Sequence, residues 1–248
     1  MLKRNPYYET ALASIFTALV FVFTSIFTIV TPPTRGFFNF GEIGVYLSAL
    51  IGGPIAGLIA GGIGSALADV FLGYPHYAPG TLIIKGIEGF IVGEFFWQFR
   101  KLKENQRRLV TVIVSIAVFS FITGFGYKGI NITIGTSKEE NILGINIGVF
   151  KAFIPGYIFI IVAIMLSLLI FYLGWMRGIS GIMILACAIG GLEMVLGYFL
   201  YQVFVLNYGI INALSEIPVN LTQMLIGLSV AIPVVNSLKE MGVSVEGT

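Results

Sequence analysis

Residues 36–88 read GFFNFGEIGVYLSALIGGPIAGLIAGGIGSALADVFLGYPHYAPGTLIIKGIE, and nearly every position is apolar enough for a membrane interior. The stretch nonetheless holds Glu42, Asp69, Lys85 and Glu88, and it is dense in glycine. A charge at the bilayer centre costs about 2.5–3.5 kcal/mol on insertion scales. Four such groups so close together are expected to face a bundle interior or a wet cavity rather than lipid. They mark where function is to be sought.

The rest of the composition agrees. Of 248 residues, 57% are hydrophobic and only 10% charged, against about 25% charged in soluble domains. The mean hydropathy is +0.96. The fold expected is an all-α integral membrane protein. A net charge of +2 is too small to suggest a nucleic-acid partner. The sole cysteine, Cys187, excludes an intrachain disulfide, and the sole histidine, His76, excludes a multi-histidine metal site. There is no phosphate-binding G-x-x-x-x-G-K-[ST] loop, zinc motif or G-x-S-x-G nucleophile site, so no catalytic residue, metal or cofactor is expected. Lys3 and Arg4 run directly into a full-length apolar span without a small-residue cleavage site, so no cleaved signal is expected.

Apolar runs and their punctuation predict about eight membrane segments, over 8–30, 41–51, 55–72, 80–99, 109–126, 148–173, 179–205 and 214–235. Thr31-Pro32-Pro33 is expected to end the first segment, because proline cannot continue the helical ladder. Gly52-Gly53-Pro54 is expected to turn the chain between the second and third. With a cytoplasmic N-terminus and eight crossings, Lys3, Arg4, Arg100, Lys101, Lys103, Arg107, Arg108, Arg177 and Lys239 lie inside. Arg35, Lys128 and Lys138 lie outside, an asymmetry that fits the positive-inside rule. Both termini are then cytoplasmic. The second and third segments are short for the roughly 30 Å of hydrocarbon, so loops 34–40 and 73–79 are expected to dip inward and line an outward-facing pocket.

Several polar groups qualify for that pocket. Gly53, Gly57, Gly61, Ser65, Asp69 and Gly73 follow a four-residue spacing on one helix face. For the glycines close helix packing is the simpler role. Asp69 needs a partner, and either pairs with Lys85 or faces a ligand. Lys85 and Glu88, three apart, are neighbours; either they neutralise each other or one turns to substrate. The seventh segment carries Gly190, Glu193, Gly197 and Tyr201 on one stripe, and the eighth carries Glu216, Asn220, Gln223 and Gly227. Glu216, next to Pro218, reads as a cap favoured by the helix dipole. The loops add Phe37, Phe38, Asn39, Tyr74, His76 and Tyr77, a mixture suited to a flat heteroaromatic molecule. The fifth and sixth segments have no polar stripe and read as lipid-facing. The loop between them, 127–147, is rich in Gly, Asn, Thr and Ile, which suits a small β-hairpin, and Asn131-Ile-Thr133 matches a glycosylation acceptor.

Five stretches, GFFNFGE (36–42), GGP followed by IAGLIAGGIGSALAD (52–69), GYPHYAPGTLIIKGIEG (73–89), GGLEMVLGYFLY (190–201) and EIPVNLTQMLIG (216–227), carry a family likeness. The chain resembles the substrate-binding S components of energy-coupling factor (ECF) vitamin transporters. The resemblance implies a six-helix bundle that binds a water-soluble vitamin or related heteroaromatic micronutrient from outside. It also implies docking on a membrane coupling protein that is bound to two cytoplasmic ATPases. Residues 103–177 then read as an inserted helical hairpin within a single membrane domain. The site expected comprises Asn39, Glu42, Tyr74, His76, Lys85, Glu88, Glu193, Tyr198, Asn220 and Gln223, with Asp69 supporting Lys85. The family docks through an Ala-x-x-x-Ala face on its first helix, for which Ser14 and Ala18 stand here. Two alternatives remain open at this point. One is a self-sufficient proton-coupled secondary transporter using Asp69, Glu88 and Glu193. The other is an intramembrane enzyme with paired carboxylates.

Overall fold

The computed structural model describes residues 6–31, 34, 36–126, 130–134, 141–142, 145–146, 150–176 and 178–242. Lys3, Arg4, Arg35, Lys128, Lys138 and Arg177, which the charge count used, lie outside the described residues. The chain forms two compact units, Met1–Leu102 with Ile179–Thr248, and Lys103–Gly178.

Among its described residues the first unit holds six helices and one hairpin. Helix α1 is Pro6–Ser25, and strands β1 (Ile29–Thr31) and β2 (Gly36–Phe38) follow. Helix α2 is Gly41–Gly52 and α3 is Pro54–Phe71. Helix α4 is Ala78–Phe99. The second unit contributes α5 (Glu104–Gly126), short strands β3 (Ile130–Ile134), β4 (Asn141–Ile142), β5 (Ile145–Asn146) and β6 (Phe150–Ile154), and α6 (Gly156–Met176). The first unit then resumes with α7 (Gly178–Phe204) and α8 (Ile210–Glu240). By length and composition, three described helices, α3, α7 and α8, are each able to cross a membrane.

The first unit is built on close backbone contact. A Cβ added to Gly57 would strike the carbonyl of Gly89, and one added to Gly89 would strike that of Gly57. Gly61 abuts the carbonyl of Lys85 in the same way. The four-residue stripe of α3 is therefore the seam with α4, as small-residue spacing allows in membranes. That seam fixes Asp69 and Lys85 on adjacent helices. Around it, Val20 of α1, Val45, Tyr46 and Leu50 of α2, Phe96 of α4, Met183 and Cys187 of α7 and Val235 of α8 form one buried cluster. Gly53 has φ +91°, a conformation glycine takes without strain, and it lets the chain reverse between α2 and α3. Both short helices contain a π turn, Ser48–Gly52 in α2 and Ala60–Gly64 in α3.

Several boundaries differ from the sequence expectation, among them the start of α5, at Glu104 and not 109, and the end of α8, at Glu240 and not 235. Helix α1 stops at Ser25 instead of reaching residue 30. Ile29, Val30 and Thr31 are β-branched and favour extended backbone; they pair antiparallel with Phe38, Phe37 and Gly36. Helix α6 begins at Gly156 rather than 148, because Phe150–Ile154 forms β6 and pairs with β3 (Ile130–Ile134). Lys151 thus sits on a strand, and Asn131 and Thr133 lie on its partner. Helix α8 starts at Ile210, capped by Gly209 at φ +79°, and not at 214. Glu216 accordingly lies beyond the first turn, so the capping role expected for it is corrected. In the second unit, Thr111 and Ser115 of α5 are buried and spend their hydroxyls on carbonyls of their own helix, those of Arg107 and Thr111.

Candidate functional site

The polar residues of the first unit gather at the end that carries the β1–β2 hairpin and the Gly73–Tyr77 turn. Lys85 is the centre of the deeper layer. Its Nζ is ion-paired with Glu42 of α2 and lies 3.1 Å from Glu88 Oε2, with all three side chains buried. Expensive as buried ions are, a cation flanked by two carboxylates is far cheaper than any of them alone. The Asp69–Lys85 pair that spacing suggested is not among the ion pairs of the described residues; Glu42 takes that place. Glu193 of α7 stands close enough to feel both Lys85 and Glu88. The Lys85 ammonium also lies 5.8 Å from the centroid of the Tyr198 ring, within cation–π range.

Above this layer is a cavity of about 40 Å³. The hairpin and its sequel contribute Gly36, Phe37 and Asn39 to its wall, α3 gives Asp69, and α4 with the residue before it gives Tyr77, Thr81 and Lys85. Helix α7 gives Tyr198 and Gln202, and α8 gives Glu216, Asn220 and Gln223. Such a polar wall has few precedents in hydrocarbon unless its groups satisfy one another or a guest.

Most of them do satisfy one another. The Asn39 backbone N–H donates to Gln223 Oε1 at 2.8 Å, and Gln223 Nε2 donates to Asn220 Oδ1 at 3.0 Å. The Asn39 side chain accepts from Gly41 N–H at 2.7 Å and so starts α2. Tyr198 donates to Thr81 at 2.9 Å. The hydroxyl of Thr34, between the two hairpin strands, donates to Glu216, and Tyr77 donates to the Thr34 carbonyl at 3.0 Å. The hairpin is thereby latched to α8 and to the start of α4. Gln202 Nε2 in turn donates to the Tyr77 hydroxyl at 3.2 Å.

Of the residues expected at the site, Asn39, Asp69, Lys85, Tyr198, Asn220 and Gln223 share the cavity wall. Glu42 and Glu88 lie beneath it as partners of Lys85. Tyr74 and His76 are not on the wall. Their rings form an outer aromatic layer, with Tyr74 4.8 Å from Phe37 and His76 4.9 Å from Tyr77. Thr34, Thr81 and Gln202 escaped the sequence analysis, and Glu216, read there as a cap, belongs to the wall. Thr81 and Lys85, and likewise Tyr198 and Gln202, are four apart and share a helix face, a signal that would have found two of them.

A second concavity runs along α1. It measures about 940 Å³ and is walled by Ser14, Thr17, Ala18 and Phe21 on one side and by Ile55, Ile59 and Ile63 of α3 on the other. Ser14 and Ala18 are exposed in it.

Comparison with known proteins places this architecture. The family model for the ECF-type riboflavin transporter S component matches residues 5–172. The chain belongs to that family. It is therefore an S component by family and, with its long apolar helices, a multi-pass membrane protein. Among relatives of this S component, an uncharacterized protein of Pyrococcus woesei is 53% identical over 76 residues, 31% of this chain and 51% of that protein. The chain thus spans about half the length of that relative. The thiamine precursor transporter HmpT of Lactococcus lactis subsp. cremoris (strain MG1363) is 26% identical over 120 residues, 48% of this chain and 69% of HmpT. The family match stops short of α7 and α8, which supply five of the side chains on the cavity wall.

Proposed function

We propose that this S component captures a water-soluble heteroaromatic micronutrient from outside and delivers it through an ECF module. The observation that carries this is the polar cavity beneath the β1–β2 hairpin in an otherwise apolar bundle. Small-molecule sites combine apolar walls with a few placed polar groups, and here Phe37, Tyr77 and Tyr198 stand beside Asp69, Asn220 and Gln223. The hairpin is the cover: it is held by hydrogen bonds from Asn39 and Thr34 to α8, so a guest enters by loosening those latches. Lys85, Glu42 and Glu88 form the polar floor, with Glu193 beside it, and Tyr74 and His76 are outer contacts.

The partners are a membrane coupling protein and two cytoplasmic ATPases, with both termini of this chain on the cytoplasmic side. The groove along α1 is the docking face, with Ser14 and Ala18 in place of larger side chains. Residues 103–177 are an addition to the six-helix bundle, a reading that the separate compactness of Lys103–Gly178 favours. The family description points to riboflavin and the description of HmpT to a thiamine precursor; a pyridoxine-like compound suits the same wall.

Mild purification, denaturation and mass spectrometry of what is released tests the proposal. One heteroaromatic vitamin or precursor, in near-equal molar amount, is the expected result. Asn220→Ala is expected to bind that compound at least tenfold more weakly. A preparation that carries nothing, and binds none of the three candidate classes, would remove the proposal.

A further inference from the structure

Two hydrogen-bond acceptors on the cavity wall have no donor. Asp69 Oδ2 and Gln202 Oε1 are both buried, and neither has a partner; the two residues are 4% and 1% exposed. Both line the same cavity. A buried polar atom left unpaired is costly, so two in one small space point to something that fills them. The orientation of the Gln202 amide follows from its neighbour. The Tyr77 hydroxyl gives its proton to the Thr34 carbonyl and so accepts from Gln202 Nε2. Turning the amide over would set two acceptors face to face, so it is the carbonyl oxygen that is left over.

The Thr81 hydroxyl reaches the Asp69 carboxyl, and two stronger donors nearby are already committed elsewhere. The Tyr198 hydroxyl goes to Thr81, and the ammonium of Lys85 is held between Glu42 and Glu88. That ammonium is matched twice over, so it leaves no positive charge for Asp69. The wall therefore offers a carboxylate and an amide carbonyl, and its cation, Lys85, is already taken by Glu42 and Glu88. Space adds a second restriction. A cavity of about 40 Å³ has room for a few waters, and a three-ring molecule would displace much more of the hairpin than a single ring.

From this wall we infer that Asp69 and Gln202 form a subsite for an amino or amidine-type nitrogen on a single-ring heterocycle, whose N–H groups reach Asp69 Oδ2 and Gln202 Oε1. This rests on the vitamin-binding reading above and makes Asp69 and Gln202 its specificity determinants. A carboxylate that meets a ligand N–H2 or ammonium forms a charge-assisted bond, about twice as strong as a neutral one. An analogue with a hydroxyl or oxo group there leaves an acceptor unpaired.

Calorimetric titration of the detergent-purified full chain with matched compounds tests it. The probes are pyridoxamine against pyridoxine, 4-amino-5-hydroxymethyl-2-methylpyrimidine against its 4-hydroxy counterpart, and riboflavin. In at least one pair the amino compound is expected to bind tenfold or more tighter than its partner. Asp69→Asn is expected to abolish that preference while the weak binding of the hydroxy compound persists. If Asp69→Asn does not yield folded protein, Gln202→Met, which keeps the length and removes the acceptor, carries the test with the same expected loss. Equal affinities within both pairs, no binding by either amino compound, or riboflavin binding tighter than both would overturn the inference. Tight riboflavin binding would do so while leaving the importer-subunit reading in place. A chain that binds none of the five and carries no co-purified compound would remove both.

Discussion

Two concavities of the first unit differ in size and in the chemistry of their walls. The one under the hairpin is about 40 Å³, buried and walled by carboxylates, amides and hydroxyls. The one along α1 is about 940 Å³ and walled mainly by small, aliphatic and aromatic side chains. Polar groups inside a membrane protein are expensive and persist where they recognise something. Small residues along a helix let another helix approach closely. The contrast separates a place for a small polar guest from a place for another protein, and each half of it makes different demands on mutation.

The largest effect is expected where charge is buried. Lys85→Met leaves Glu42 and Glu88 without their cation, and breaking a buried pair by removing one partner costs about 3–5 kcal/mol. The thermal midpoint of the purified protein should fall by many degrees or no folded protein should be recovered. A midpoint near wild type would mean that the deeper layer is not held by charge. Next comes the seam that positions Asp69. Gly57→Val drives a side chain into the Gly89 carbonyl, and overpacking of this kind typically costs about 1–3 kcal/mol. Thermal unfolding reads it, and the same change at Gly124 of α5, where an added Cβ meets nothing within 4 Å, serves as the contrast for crowding.

Gln223→Leu sharpens the comparison from the cavity side. It removes the acceptor for the Asn39 N–H and the donor for Asn220, and each unpaired group costs about 1–3 kcal/mol. Ligand affinity should fall roughly 10- to 100-fold, on the scale of 1.4 kcal/mol per tenfold, with a smaller loss in stability. Ala18→Leu probes the groove. Ligand affinity of the isolated protein should stay as it is, while uptake by cells that hold a coupling module should drop. Equal loss in both assays would show that the groove and the cavity are not separable. The smallest effect is expected for Thr34→Val, which removes one latch between hairpin and α8 and should cost about 1 kcal/mol, seen as faster ligand dissociation.

How far the sequence led can be judged residue by residue. The apolar spans and their glycine stripe were legible because lipid imposes length and small-residue spacing imposes contact. Asn220 and Gln223 stood out because an amide is rare on an apolar helix. Glu42 was placed at the site, but its ion pair with Lys85 was not foreseen, since the two are separated by a whole helix and only the α3–α4 seam brings them together. Glu216 was misread because Gly209 starts α8 earlier than the apolar pattern suggests, which moves the acid from a helix end to a wall. Gln202 sits near the end of a long apolar helix and was not singled out. It becomes part of the wall only because Tyr77, latched to the hairpin, meets it there. Contacts that depend on a hairpin closing over a bundle leave no periodic trace.

The most direct measurement is an experimental structure of the protein purified with its co-purified compound in place. The account predicts that compound beneath the β1–β2 hairpin, with polar atoms within hydrogen-bond distance of Asp69 and Asn220 and the hairpin still folded over it. A compound bound instead in the groove along α1, with the cavity closed and its side chains bonded only to one another, would contradict it.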